Sequence, residues 1–149
     1  MRVKTITIKK DSRGFTLLEL MVVMALMLGT TMVALPKLSR TNQVYQLSAA
    51  SSTIRARLSF ARIQAISRNM DYRVRVVTST SYVIERRPSG SWETVETFTM
   101  PSGFSVSANG SAEFRPRGTA SSSATFTVTN PTAETRSVAV AASGYINAL

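Results

Sequence analysis

An apolar run from Phe15 to Leu35 constrains this chain of 149 residues more than any other feature. As an α-helix, the twenty-one residues of the run extend roughly 31 Å, about the thickness of the hydrocarbon core of a bilayer. Glu19 is the only charged side chain in the run. A carboxylate in a membrane helix costs several kcal/mol and usually has a function. The run therefore predicts a membrane-spanning helix over residues 15–35 in which Glu19 has a specific task.

The segment before the apolar run is basic. Residues 1–14 carry five lysines and arginines against one aspartate, a net charge of +4, which predicts that the N-terminus stays in the cytoplasm. A cleaved secretory signal would have a shorter apolar core followed by small residues, whereas this core ends in Leu35, Pro36 and Lys37. A plain signal anchor explains the charge and the run, but it requires neither Gly14 at the boundary nor Glu19 within it.

A second helical pattern follows Pro36. Apolar residues recur at spacings of three and four, while the arginines lie mostly on other sides, so residues 36–69 are predicted to form an amphipathic helix packed on a sheet. Proline removes a backbone hydrogen bond and disfavours helix at the preceding residue, so we expect a kink or break at Pro36. The apolar stripe comprises Val44, Leu47, Ala50, Ile54, Leu58, Ala61 and Ala65.

From Tyr72 onward, alternating patterns replace the helical period, and turn residues separate short β-prone runs. The first two runs are close enough to predict a hairpin. Residues 70–149 are thus expected to form one antiparallel β-rich head, and the whole chain an α+β fold in which the long N-terminal helix packs on that head. The predicted strands are 72–77, 81–86, 92–98, 104–107, 112–114, 124–129 and 137–142.

Composition argues against catalysis. The chain has no His and no Cys, which excludes the commonest general base, a thiol nucleophile and the usual zinc ligands. Its carboxylates are scattered, and no Gly-x-Ser-x-Gly or Ser-x-x-Lys motif accompanies the many hydroxyls. We therefore expect a structural or binding protein, not an enzyme, with no cofactor and no metal site. Without Cys, no disulfide stabilises the exported part.

The stretch Arg-Gly-Phe-Thr-Leu-Leu-Glu at residues 13–19 resembles the start of type IV pilins and pseudopilins. The resemblance implies that a prepilin peptidase removes residues 1–14 by cutting after Gly14 and methylates the new N-terminus, Phe15. It also implies that Glu19 lies near the amine of a neighbouring subunit's Phe15 during assembly. A charge in a low-dielectric medium needs such a partner. Pro36 falls where many pilins carry a kinking proline.

Three later segments resemble the GspH and FimT-like branch of that family. They are the helical end 58–69, the Phe-x-Pro-x-Gly element within 114–120, and Gly-Tyr-Ile at 144–146. This branch contains minor pseudopilins of type II secretion and minor pilins of type IV pili. It implies a subunit that helps to initiate or cap a filament, with other pilin or pseudopilin subunits and inner-membrane lipid as partners. The protein would cross the bacterial inner membrane once, with its head outside the cytoplasm, and then enter the filament through residues 15–35.

Two other functions also fit the sequence. The exported part carries thirteen basic and six acidic side chains, a net charge of +7 that suits a DNA-binding minor pilin. Arg86, Arg87, Arg115 and Arg117 lie in predicted turns and are its candidate phosphate contacts. Against it, residues 144–147 read Gly-Tyr-Ile-Asn, without the Gly-Arg-x-Arg element of FimT-like DNA binders.

The other alternative is a membrane-anchored β-rich adhesin outside any filament. The motifs themselves are common to type II secretion and type IV pili.

Overall fold

The computed structural model describes residues 15–149, except for the side chains of residues 30–41. The predicted leader 1–14, with Gly14, lies outside the described residues. Within the described part, one helix precedes eight strands. The elements are α1 (Leu17–Arg68), β1 (Asp71–Thr78), β2 (Ser81–Arg87), β3 (Glu93–Thr99), β4 (Ser105–Ala108), β5 (Ala112–Phe114), β6 (Ala124–Thr129), β7 (Thr135–Val140) and β8 (Ile146–Ala148).

Helix α1 passes through Pro36 as one element, so the break we considered there is absent from the described backbone. The Pro36 side chain lies outside the described set, and the kink stays a prediction. The chain divides into two compact units, residues 1–39 and residues 40–149. Among the residues whose side chains are described, no helix is long and apolar enough to cross a membrane. Residues 30–35 of the predicted span lie outside that set.

The C-terminal end of α1 is sharply defined. Asn69 adopts a left-handed conformation with φ of 52°, and the Met70 amide donates to the Ala65 carbonyl oxygen at 3.3 Å. This is the geometry in which a left-handed residue stops a helix and the following amide satisfies one of its last carbonyls. The chain therefore turns within two residues of Arg68 and enters β1 at Asp71.

The head contains two antiparallel four-stranded sheets. The first has the order β3-β2-β1-β5 and the second the order β4-β6-β7-β8. The predicted hairpin is confirmed as the β1–β2 pair, with Asp71 opposite Arg87 and Thr78 opposite Ser81. All seven predicted strands exist, although β7 starts and ends two residues earlier than predicted. Strand β8 was not predicted.

The core lies between α1 and the inner faces of both sheets. The predicted apolar stripe is buried except for Val44, which is exposed, and strands such as β6 alternate buried and half-buried side chains as the pleat requires. The helix and the strands thus bury their apolar faces against one another, which confirms the α+β class. The largest fully buried side chains include Tyr72, Phe114, Phe126, Ile54, Leu58 and Ile84.

Candidate functional site

The N-terminus of α1 is capped by Thr16. The Glu19 amide donates to Thr16 Oγ1 at 3.2 Å, and the Leu20 amide donates to the Thr16 carbonyl oxygen at 3.2 Å. Thr16 and Glu19 have the Thr-x-x-Glu spacing of a capping box, a signal that our sequence analysis missed. Glu19 also lies in the first turn, where the helix dipole favours a carboxylate. Local helix electrostatics therefore offset part of the cost of this acid.

The first part of α1 is apolar on all sides. Every described residue from Phe15 to Gly29 is exposed, and Phe15 itself is 79% exposed. Residues 15–29 contain no basic side chain that could pair with the Glu19 carboxylate. A helix that is apolar all round belongs in lipid or among other helices. This segment thus presents apolar side chains on every side and one acid near its start.

Two of the four arginines considered for phosphate contacts are used within the head. Arg86 and Arg87 end β2 instead of lying in a turn. Arg86 Nε lies 3.2 Å from Glu93 Oε2, and Arg87 donates to the Asp71 carboxylate and lies 3.6 Å from Glu113. The hydrogen bond to Asp71 raises the pKa of Arg87 above its ordinary value. A phosphate would have to compete with these carboxylates.

Arg115 and Arg117 are placed differently. Both are exposed in the loop after β5, and neither makes an ion pair within the part of the chain that the structure describes. Their charges are available to an outside partner.

The outer face of the first sheet carries a network around Trp92. The guanidinium groups of Arg73 and Arg87 lie over its ring, 4.2 and 4.9 Å from the ring centre. Glu85, only 5% exposed, accepts hydrogen bonds from Arg73 and, at 3.1 Å, from Arg75 Nη2. Burial raises the pKa of the Glu85 carboxyl, but its bonds to Arg75 and Arg73 outweigh burial and hold the pKa below its ordinary value. This network stabilises the sheet.

Residues Arg62, Ile66, Gly118 and Gly144 form a tight corner, which we call the glycine corner. Gly118 and Gly144 have φ of +79° and +83°, and a Cβ on Gly144 would lie 1.9 Å from the Gly118 carbonyl oxygen. Arg62 Nε donates to that same oxygen at 2.8 Å. A Cβ on Gly118 would lie 2.9 Å from Ile66 Cδ1. The three head segments that carry the family resemblance therefore meet at one point.

A groove of about 220 Å³ lies between α1 and the chain around β8. It shares Arg62 with the glycine corner, and Tyr145, at its rim, is 63% exposed. We call it the arginine groove. Within the described residues, no group of three or more His, Cys, Asp or Glu side chains could hold a metal. The arginine groove is lined by Arg55, Ser59, Arg62, Ile63, Tyr145 and Ile146.

Comparisons with known families match both parts of the chain. The family described as "Type II transport protein GspH" matches residues 50–144, and the prokaryotic N-terminal methylation motif matches residues 9–34. These ranges contain the glycine corner and the stretch 13–19, respectively. No curated protein sequence matches the chain.

Solved structures share the fold. The type IV minor pilin FimU of Pseudomonas aeruginosa is 17% identical, with a TM-score of 0.60 over 73% of this chain and 92% of FimU. The minor pseudopilin EpsH from the type 2 secretion system of Vibrio cholerae is 14% identical, with a TM-score of 0.61 over 70% of this chain and 96% of EpsH. These likenesses confirm the predicted pilin-like fold.

Proposed function

Since this chain belongs to the type IV pilin and pseudopilin family, in its GspH branch, we propose that it helps to initiate or cap a type IV pilus or a type II secretion pseudopilus. The observation that carries the proposal is the first part of α1. Its apolar side chains are exposed on every side, while the head buries its own apolar face. Such a helix is suited to leave lipid and pack among the equivalent helices of other subunits.

Processing prepares this helix for assembly. A prepilin peptidase cuts after Gly14 and methylates Phe15, which leaves a cationic amine at the start of the mature chain. The methylation motif over residues 9–34 supports this step. Glu19, exposed in the first turn of α1, then pairs with the amine of a neighbouring subunit's Phe15. Removal of either charge would leave the other unpaired in a low-dielectric core.

The proposed route begins in the bacterial inner membrane. The basic leader keeps the N-terminus in the cytoplasm, residues 15–35 cross the membrane once, and the head lies outside the cytoplasm before the subunit enters the filament. Its partners are the prepilin peptidase, membrane lipid and other subunits. The protein acts by packing, without catalysis.

Incorporation of Glu19→Ala into filaments tests this proposal. The variant should insert and lose its leader normally, yet its amount in sheared filaments should fall about tenfold because the neighbouring amine loses its partner. Glu93→Ala, which removes an exposed carboxylate of the head, is the matched control and should incorporate normally. Normal incorporation of Glu19→Ala would refute the assembly role of Glu19.

A strain that lacks this protein distinguishes the two filaments. Loss of pili would indicate the type IV pilus, and loss of exoprotein release with pili intact would indicate the type II secretion pseudopilus.

Binding of DNA is a second candidate, favoured by the exposed Arg115 and Arg117. Their double replacement by Ala should weaken binding of the protein to duplex DNA and flatten its salt dependence if they contact phosphates. The carboxylate contacts of Arg86 and Arg87 argue against a larger site. No binding at low salt would exclude this function.

The adhesin alternative instead predicts that the mature protein forms no crosslinks with filament subunits.

A further inference from the structure

The head neutralises its acids but not all of its arginines. Five of its six carboxylates are ion-paired with arginines, and the sixth, Glu134, accepts a hydrogen bond from Asn130 Nδ2 at 3.0 Å. The positive charge that remains is therefore concentrated on a second set of arginines. Within residues 42–149, no ion pair involves Arg55, Arg62, Arg68, Arg115, Arg117 or Arg136.

Two of these arginines line the arginine groove. Arg55 and Arg62 are seven residues, or about two helical turns, apart and therefore lie on the same side of α1. The bond from Arg62 Nε to the Gly118 carbonyl oxygen fixes the guanidinium and leaves its two terminal nitrogens for another acceptor. A fixed, unneutralised guanidinium is well suited to bind a carboxylate, because little side-chain entropy is lost.

Apart from the two arginines and Ser59, the groove is lined by the isoleucines Ile63 and Ile146 and by Tyr145. Ile63 is 60% exposed, and Ile146 is buried at the start of β8. Tyr145 offers an exposed ring beside them. A glutamate or aspartate with an apolar neighbour would satisfy both parts of this surface, the cations through its carboxylate and the isoleucines through its neighbour.

We propose that the arginine groove docks an acidic segment of a neighbouring subunit of another type in the same filament. This rests on the proposed function. A second copy of this chain is a poorer occupant, because the six acids of its head already have partners. Nucleic acid is also a poorer occupant, because it requires cations along a phosphate track, and the loop arginines Arg115 and Arg117 do not line this groove.

Photocrosslinking in producing cells tests the proposal with the full chain. Tyr145→p-benzoylphenylalanine places a crosslinker at the rim of the groove and keeps an aromatic ring there. In sheared filaments we expect a crosslink to another pilin-class subunit, mapped by mass spectrometry to a segment containing Asp or Glu. Adding Arg55→Glu should reduce the crosslink about tenfold, because the charge reversal repels that segment. Arg55→Lys should retain most of it.

Arg136→Glu is the matched control, since Arg136 is exposed, lies outside the groove and makes no ion pair within residues 42–149, and it should leave the crosslink unchanged. A crosslink to DNA, to a second copy of this chain or to a segment without acids would overturn the proposal, as would insensitivity to Arg55→Glu. Incorporation is measured in the same samples. A protein that enters filaments without a crosslink refutes only the groove, whereas one that never enters them refutes the proposed function and the groove with it.

Discussion

The first part of α1 exposes its apolar side chains, whereas the head buries most of its own. Leu18, in the first part of α1 (residues 17–29), is 73% exposed, whereas Leu58, in the part of α1 that packs on the head, is fully buried. The head satisfies its own apolar faces with a helix and two sheets, so it has the contacts of an independent folding unit. In the first part of α1, every described side chain from Leu17 to Leu28 is exposed. The stability of the head and the assembly of the chain should therefore respond to different mutations.

Gly144→Ala is expected to have the largest effect, a loss of stability confined to the head. The new Cβ would lie 1.9 Å from the Gly118 carbonyl oxygen, at a residue whose φ of +83° already disfavours side chains. The two nearest atoms, the carbonyl oxygen and carbon of Gly118, belong to the backbone, so the backbone itself would have to move. We therefore expect a loss of about 4 kcal/mol in the free energy of unfolding. Trp92, the only tryptophan, reports unfolding of the head in the full chain in detergent.

Gly110→Ala provides the control. A Cβ there meets no atom within 4 Å, so its free energy of unfolding should stay within about 0.5 kcal/mol of the original. Equal unfolding midpoints for the two variants would show that the glycine corner is not a close backbone contact.

The next largest effect separates the two regions directly. Leu58→Ala should lower the free energy of unfolding of the head by about 3 kcal/mol, because it leaves a cavity in the core. Leu18→Ala should leave unfolding of the head unchanged and instead reduce incorporation into filaments. Denaturant titration and filament sedimentation measure the two properties in the same preparations. A head destabilised by Leu18→Ala would contradict the separation of the two regions.

Local patterns predicted most of the head, and non-local contacts account for what they missed. The apolar stripe of α1 and the alternating strands follow from residues close in sequence. Strand β8 was missed although it is as long as the predicted β5, and it is held by its pairing with β7. The carboxylate partners of Arg87 lie on β1 and β5, so the sequence alone could not show that its charge is used. The cap at Thr16, in contrast, was readable from its spacing to Glu19.

A smaller effect is expected at Glu85. Replacement by Gln leaves Arg73 and Arg75 without a buried carboxylate, and the head should lose about 2 kcal/mol at neutral pH. The lowered pKa of Glu85 means that its contribution is present above the ordinary carboxyl pKa of 4.5 and is lost as the pH falls through the lower value in the folded state. The free energy of unfolding should therefore decrease with falling pH below about 4.5.

This pH dependence also has an internal test. Glu85→Gln should unfold with a smaller decrease over the same acidic range, because its side chain has no proton to bind. Glu93→Gln removes an exposed ion pair of the same sheet and should change stability at neutral pH by less than about 0.5 kcal/mol. An unaltered pH profile in Glu85→Gln would assign the acid sensitivity to another carboxylate.

The smallest effect is expected at the cap of α1, where it sharpens the contrast from the other side. Thr16→Ala removes the acceptor of the Glu19 amide and should destabilise the first turn by about 1 kcal/mol without changing the unfolding of the head. Amide hydrogen exchange in detergent should then be faster at residues 17–20 alone, while Thr16→Ser, which keeps the hydroxyl, should exchange normally. Faster exchange in the head strands would show that the start of α1 and the head are energetically coupled. Exchange limited to the first turn would show that the Thr16 cap stabilises the start of α1 locally.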